Sequence, residues 1–184
     1  MNPLDALAGH VLLLSGSPGS GKTTTAELLA RQTGATPKVH MHTDDFWGWI
    51  KHGKIDPWLP EADGQNRMIM EMAAEVARRY AESGYFVALD GVIGPWSLWA
   101  YENLPVPVHY ILLRPSVDEA VARCQSRGGD SLSDPAVVRK VYGMFDDLGR
   151  YQRHVLDSTG WSREKTVAEV TEAMQGGAYR LVRS

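Results

Sequence analysis

Apolar positions along the chain fall into two kinds of pattern. Continuous runs of four to six residues, Val11–Leu14, Tyr85–Leu89 and Val108–Leu113, stand between turn residues and read as buried parallel strands. Lys38–His42 reads as a further strand behind the breakers Gly34 and Pro37, and Val155–Asp157 as a short last one. Between the runs the period changes to that of a helix. Ala26, Leu28, Leu29 and Ala30 supply an apolar helical face. Met68, Met72, Val76 and Tyr80 repeat every four residues with Ile69 and Ala73 beside them, which predicts a helix over 65–82 that Gly84 ends.

Local signals fix the remaining helices. Ser116–Glu119 is a capping box behind Pro115, opening a helix through Val117, Ala120, Val121 and Cys124 to about Arg127. Gly128–Ser131 is a flexible break. Asp134 then caps a helix with Pro135 in its first turn and a stripe of Val138, Val141, Phe145 and Leu148. Ser162 caps a final helix through Val167, Val170 and Met174. Strands alternating with helices predict an α/β fold, a parallel sheet with helices on both faces whose ligands sit at the carboxyl ends of the strands. Two stretches stay irregular, 47–64 and 92–107, and they hold five of the six tryptophans: Trp47, Trp49, Trp58, Trp96 and Trp99. Long loops in compact domains are functional or disordered, and tryptophans argue against disorder.

Three chemical signals fall at those carboxyl ends. After Val11–Leu14 the chain reads Gly16-Ser17-Pro18-Gly19-Ser20-Gly21-Lys22-Thr23, the full G-x-x-x-x-G-K-S/T spacing between a strand and a helix. Glycines let backbone N–H groups face an anion, and the new helix turns its positive end toward it. Lys22 reaches the β- and γ-phosphates and the Thr23 hydroxyl suits Mg²⁺, with Gly16, Ser17, Gly19, Ser20, Gly21 and Thr24 completing the nucleotide contact set. Asp90 closes the apolar strand in YFVALDG; it either holds the metal's hydration shell opposite Thr23 or simply starts a turn before Gly91. Asp44 and Asp45 follow the second strand, as a helix cap or as carboxylates that orient an incoming hydroxyl and take its proton. Neighbouring strand residues face opposite ways, so one of the two would serve as the base.

Arg123 and Arg127 share a helix face leading into the glycine break, with Arg139 beyond it. A solvated face paired with residues such as Glu119 explains them as well as a lid that closes over a triphosphate does. Arg114 is a further candidate for nucleotide contact. His40 and His42 alternate on a strand without metal-ligand spacing and read as structural, and Cys124 as packing. The Trp clusters read as core or as a pocket for a partly apolar acceptor.

Composition narrows the class. The 184 residues fit one α/β domain with a sizeable core. A net charge of −3 without runs of like charge gives no support to a nucleic-acid binder. The lone Cys124 excludes an internal disulfide framework and fits a reducing cytoplasm. The opening MNPLDALAGH has no basic region, so neither a signal peptide nor a membrane span is supported.

The combination resembles the small phosphate-loop kinases related to adenylate, gluconate and shikimate kinases, nearest to the chloramphenicol phosphotransferase-like group. GSPGSGKT carries the superfamily, TDDFW is similar to the strand-end D-D-F or D-S-F element, and VALDG to the third-strand Asp-Gly. The resemblance implies a three-layer fold with a five-stranded sheet in order 2-3-1-4-5. It also implies a lid over about 124–140, a catalytic carboxylate at Asp44 and lid arginines at Arg123 and Arg127. It places an acceptor region after the second strand, here about 46–82; the candidate acceptor residues are Asp45, Trp47, Arg67 and Trp96, although the Trp-rich segment GWIKHGKIDPWLPEADGQN matches no acceptor motif of the family. An adenylate-kinase acceptor signature is absent, and so is N-K-x-D, which favours ATP over GTP.

The expectation is a single-domain (1–184), cytoplasmic, ATP- and Mg²⁺-dependent kinase, monomer or homodimer, acting on a hydroxyl of a small molecule. Lys22, Asp44 and Arg127 would be its catalytic residues and Thr23 with Asp90 its metal ligands. No nucleic-acid or membrane partner is expected. The alternatives are a nucleoside or nucleotide kinase and a non-catalytic ATP-binding switch.

Overall fold

The protein is described by a computed structural model covering residues 2–127 and 134–182. Five parallel strands run in the order β2-β3-β1-β4-β5: β1 Val11–Ser15, β2 Lys38–His42, β3 Phe86–Gly91, β4 Val108–Leu113 and β5 Val155–Leu156. The helices are α1 Lys22–Ala30, α2 Thr43–Gly48, α3 Asp63–Glu82, α4 Val117–Arg127, α5 Pro135–Gly143 and α6 Arg163–Gln175. The break at Gly128–Ser131 lies outside the described residues, as do part of the 124–140 segment and the side chain of Arg127. No described helix is long and apolar enough to cross a membrane.

Strand alternation sorts the core into two layers. Val11, Leu13, Val87, Leu89, Tyr110 and Leu112 face α3, while Leu12, Leu14, Phe86, Ala88, Ile111 and Leu113 face α1 and α6. Every residue of β1, β3 and β4 is buried, as continuous apolar runs require of strands covered on both sides. Cys124 packs with Ala120, Val121 and Val138 between α4 and α5, as expected of a small hydrophobe.

Several expectations need correction. In α1 only Ala26 and Leu29 of the four apolar residues are fully buried; Leu28 is exposed because successive helical residues point about 100° apart. In α3 the buried stripe is Ile69, Met70, Ala73, Ala74, Ala77 and Ala81, whereas Met68, Met72 and Tyr80 face outward. Small alanines let the helix lie close on the sheet, and they are easily outweighed by bulkier neighbours in a periodicity reading. α5 ends at Gly143, so Phe145 and Leu148 are buried from the segment after it, not from its stripe. The capping box is half made. Ser116 Oγ accepts from Glu119 N at 3.3 Å, but the Glu119 carboxylate turns to Arg123 and to the Gly160 amide. The largest revision concerns Thr43–Gly48, a helix, so Asp44 and Asp45 lie in a first helical turn instead of on opposite faces of a strand.

Away from the carboxyl ends, His109 of β4 is fully buried with its Nε2 3.0 Å from His10 Nδ1. His109 Nδ1 has no partner among the described residues. Leaving an acceptor unpaired costs less than burying an orphan N–H, so we assign the proton to His109 Nε2, which donates to His10. Burial first, with His10 and Arg180 behind it, pushes His109 down from 6.5 to about 4. The unfolded chain therefore takes up this proton at higher pH than the folded one. The resulting stability is complete above pH 6.5 and is lost as pH falls toward 4, to the extent of roughly 3 kcal/mol. His109→Gln keeps a donor for His10 but does not titrate. Thermal melts should show its Tm falling less steeply than that of the wild type over this range; equal slopes would assign the acid lability elsewhere.

Candidate active site

The loop between β1 and α1 is shaped by contacts that leave no room for side chains. Gly19 has φ +77°, and a Cβ on it would lie 2.1 Å from the Ala120 carbonyl oxygen in α4. Gly19→Ala should thus cost at least about 2 kcal/mol, from a left-handed backbone and a backbone clash together. Urea unfolding would report it; an unchanged midpoint would mean that the loop relaxes freely. Lys22, in the first turn of α1, is nearly buried with its Nζ 3.4 Å from the Ser17 carbonyl. Ser20 Oγ is buried and unpartnered among the described residues, with Gly16 packed against it.

Asp90 sits at the end of β3, between β1 and β2, in register with Leu14 on one side and His42 on the other. The carboxylate is fully buried and surrounded by donors. Thr23 Oγ1 donates to Oδ2 at 2.6 Å, His42 Nδ1 to Oδ2 at 3.0 Å, and His40 Nε2 to Oδ1 at 2.6 Å. Burial, the largest single influence, pushes its pKa up, but these three partners outweigh it and hold the acid below the usual carboxylate range. Gly91 next to it makes room for α2: a Cβ there would collide with the Thr43 side chain.

Asp44, in the first turn of α2, meets the same cluster through His42, whose Nε2 is 3.3 Å from Asp44 Oδ2. His42 is raised to about 10, chiefly by Asp44 and then by Asp90, against the opposing effect of burial. Asp44 is lowered, first by His42, with Lys22 contributing. The two histidines read as structural are thus members of the site. Their signal lay in the H-x-H spacing, which puts both imidazoles on one face of a strand. Pairing with β3 aims that face at Asp90.

Thr23 hydroxyl and Asp90 carboxylate form a hard, all-oxygen donor pair of the kind Mg²⁺ takes when water and phosphate complete its shell. Both imidazoles are engaged with Asp90. Among the described residues there is no group of three His, Cys, Asp or Glu able to enclose an ion. The residues fit a metal held mainly by a nucleotide and not a protein cage.

Arg123 lies beside the loop, its Nη1 3.7 Å from where a Gly21 Cβ would be, while its Nη2 pairs with Glu119. Arg139 pairs with Asp118 at 2.7 Å across α4 and α5. Arg114 is bound by the Phe145 carbonyl, Asp146 and the Tyr142 ring, which gives it a tethering role between β4 and the segment after α5.

The tryptophans divide: Trp47 and Trp99 are partly buried and pack against the core layer under α3, while Trp49, Trp58 and Trp96 are exposed. Trp47 is half-buried and donates to Asn66 Oδ1 at 3.1 Å; Asn66 also donates to the Pro57 carbonyl, and Gln65 bonds both N and O of Ile55. These bonds fasten segment 47–62 to the start of α3. Trp96 lies against Gly94 and Phe145, and the Arg67 guanidinium covers the Trp99 ring at 4.3 Å. Asp45 is exposed next to Asp44.

The chain is similar to known proteins in part of its sequence and in its fold. The Zeta toxin family matches residues 5–55, under a third of the chain, from before the phosphate loop to past Asp44 and Asp45. No curated protein matches in sequence. Among solved structures, a gluconokinase from Sinorhizobium meliloti 1021 superposes with a TM-score of 0.68 at 16% identity, over 92% of this chain and 94% of that one. The APS kinase of Mycobacterium tuberculosis, in complex with AMPPNP and APS, gives 0.63 at 14% identity, over 91% and 98%. The Deinococcus radiodurans tunicamycin resistance protein gives 0.65 at 15% identity, over 90% and 95%. The fold is that of the phosphate-loop kinases, with the sheet order 2-3-1-4-5.

Proposed function

We propose that the protein is an ATP- and Mg²⁺-dependent kinase that moves the γ-phosphoryl group to a hydroxyl of a small molecule. The observation that carries the reading is the sharing of His42 by Asp90 and Asp44, which sets an acid suited to an acceptor one imidazole's width from the acid suited to the metal. A non-catalytic switch has no use for the first. The G-x-x-x-x-G-K-T loop, the strand-end Asp90 and a fold shared with solved kinases support the same conclusion.

In this reading Lys22 and the amides of Gly16–Thr23 hold the phosphates, aided by the positive end of α1. Bound at Thr23 and Asp90, Mg²⁺ would offset phosphate charge. Arg123 and the lid arginine Arg127 would flank the nucleotide. Asp44 accepts a hydrogen bond from the acceptor hydroxyl and aligns its oxygen with the γ-phosphorus. The new O–P bond forms as the β–γ bridging P–O bond breaks; ADP leaves and the hydroxyl proton passes to Asp44. Because its pKa is lowered, Asp44 is a weak base. It works by orienting the hydroxyl and collects the proton late. The fastened segment 47–62 and the side chains of Asp45, Trp47, Arg67 and Trp96 would form the acceptor side, with aromatic faces for a flat or partly apolar molecule. The reading treats the chain as one kinase domain with neither nucleic acid nor membrane as partner.

The test is coupled ADP release from Mg-ATP against pools of nucleosides, sugars, shikimate-like acids and aromatic alcohols. One pool should raise turnover well above the rate in water. Tight ATP binding with slow exchange and no stimulation by any pool would favour a switch.

A further inference from the structure

The geometry points to His42 as a positioning residue that fixes the acceptor-orienting carboxylate to the nucleotide end of the site; this rests on the reading of Asp44 given above. Asp44 needs such a device. Its side chain is 71% exposed, in the first turn of a helix of only six residues. What reaches it is His42 Nε2, at 3.3 Å.

The other ring nitrogen ties His42 down. Nδ1 donates to Asp90 Oδ2 at 3.0 Å, and Asp90 is itself immobile: completely buried, held by His40 at one oxygen and by Thr23 at the other. A continuous path therefore runs from the first turn of α1 through hydrogen bonds joining Thr23, Asp90 and His42, and on through the His42–Asp44 ion pair. An ionised carboxylate only accepts, so an imidazole bonded to two of them donates through both nitrogens and cannot flip without breaking a bond. The ring also separates two acids that would otherwise repel each other.

His40 provides an internal contrast. It bonds Asp90 but makes no bond to Asp44, so its loss loosens the metal carboxylate alone. Loss of His42 leaves Asp90 with Thr23 and His40 and takes the ion-pair partner from Asp44.

The conservative variants separate the two ends of the ring. His42→Gln places an amide donor near the position of Nε2, within reach of Asp44; His42→Asn places one near Nδ1, within reach of Asp90 only. Turnover with the stimulating pool should fall by about 10- to 100-fold in His42→Asn, the cost of a misplaced reacting group, and by clearly less in His42→Gln, which keeps the contact with Asp44 and gives up only the bond to Asp90. The Michaelis constant for Mg-ATP should stay within about threefold in both, since Asp90 keeps two partners. His40→Ala should show the opposite split, with weaker Mg-ATP binding and a smaller loss of kcat.

A second readout needs no acceptor. Crystal structures with Mg-AMPPNP should show one Asp44 position in the wild type and His42→Gln, and a carboxylate moved by more than about 1 Å in His42→Asn. Equal behaviour of the Asn and Gln variants, or an unmoved Asp44 in His42→Asn, would overturn the assignment. If Asp44→Asn itself retains full turnover, the role given to Asp44 fails separately, and the crystallographic comparison still decides whether His42 positions it.

Discussion

Asp44→Asn is expected to lower acceptor-stimulated ADP release by about 10²- to 10⁴-fold, the range that general-base groups contribute. The amide is the same size, and its oxygen can still accept from His42 Nε2, so the site should keep its shape. What disappears is the charge that, in the proposed mechanism, orients the hydroxyl and receives its proton. Because the Asp44 side chain is largely exposed, the lost ion pair should cost the fold less than about 1 kcal/mol. The Kd for Mg-ATP, read by calorimetry, should change by no more than about twofold, since Asp44 makes no contact with Thr23 or the loop amides in this reading. A variant with wild-type kcat would remove Asp44 from the chemistry, and Asp45 in the same helical turn would be the next candidate.

Lys22→Met should be nearly as damaging, by a different route. Methionine preserves the buried stem in the first turn of α1 and removes only the ammonium. In the proposed mechanism that nearly buried charge meets the negative charge that grows on the β–γ bridge as the phosphoryl group leaves. Loss of one such preorganised group costs about 10²- to 10³-fold in kcat. Nucleotide affinity should fall as well, because the charge also meets the ground-state phosphates. Calorimetry and turnover on the same preparation would separate the two effects. Loss confined to affinity would mean that Lys22 holds the nucleotide without acting on the transition state.

The sequence was most informative where a residue's environment is set by its own neighbours. A continuous apolar run between breakers has to be a covered strand, and β1, β3 and β4 formed at Val11–Ser15, Phe86–Gly91 and Val108–Leu113. Asp90 was legible for the same reason, as a charge at the end of such a run. The Asp134 and Ser162 caps were equally local: each side-chain oxygen accepts the amide that its position demands.

What stayed hidden depended on distant parts of the chain. The bond from His42 to Asp90 follows from the register of β2 on β3, which no periodicity in Lys38–His42 encodes. The α3 stripe shifted because closeness to the sheet, which favours Ala73, Ala77 and Ala81, is a property of the partner surface. α2 escaped notice because a helix of six residues carries less than two turns of pattern, and its tryptophans and glycine read as loop. Arg114 looked available because its partners, at 142–146, lie beyond the next helix.

The central claim is that a γ-phosphoryl group reaches a small-molecule hydroxyl. The most direct measurement incubates the protein and Mg²⁺ with ATP labelled by ¹⁸O on its γ-phosphoryl oxygens and the pooled alcohols, then follows the label by mass spectrometry. The account expects a new phosphomonoester of one pool member that carries the intact labelled phosphoryl group, formed by the wild type and barely by Asp44→Asn. Label found only in inorganic phosphate, at a rate indifferent to every pool and to Asp44, would contradict it.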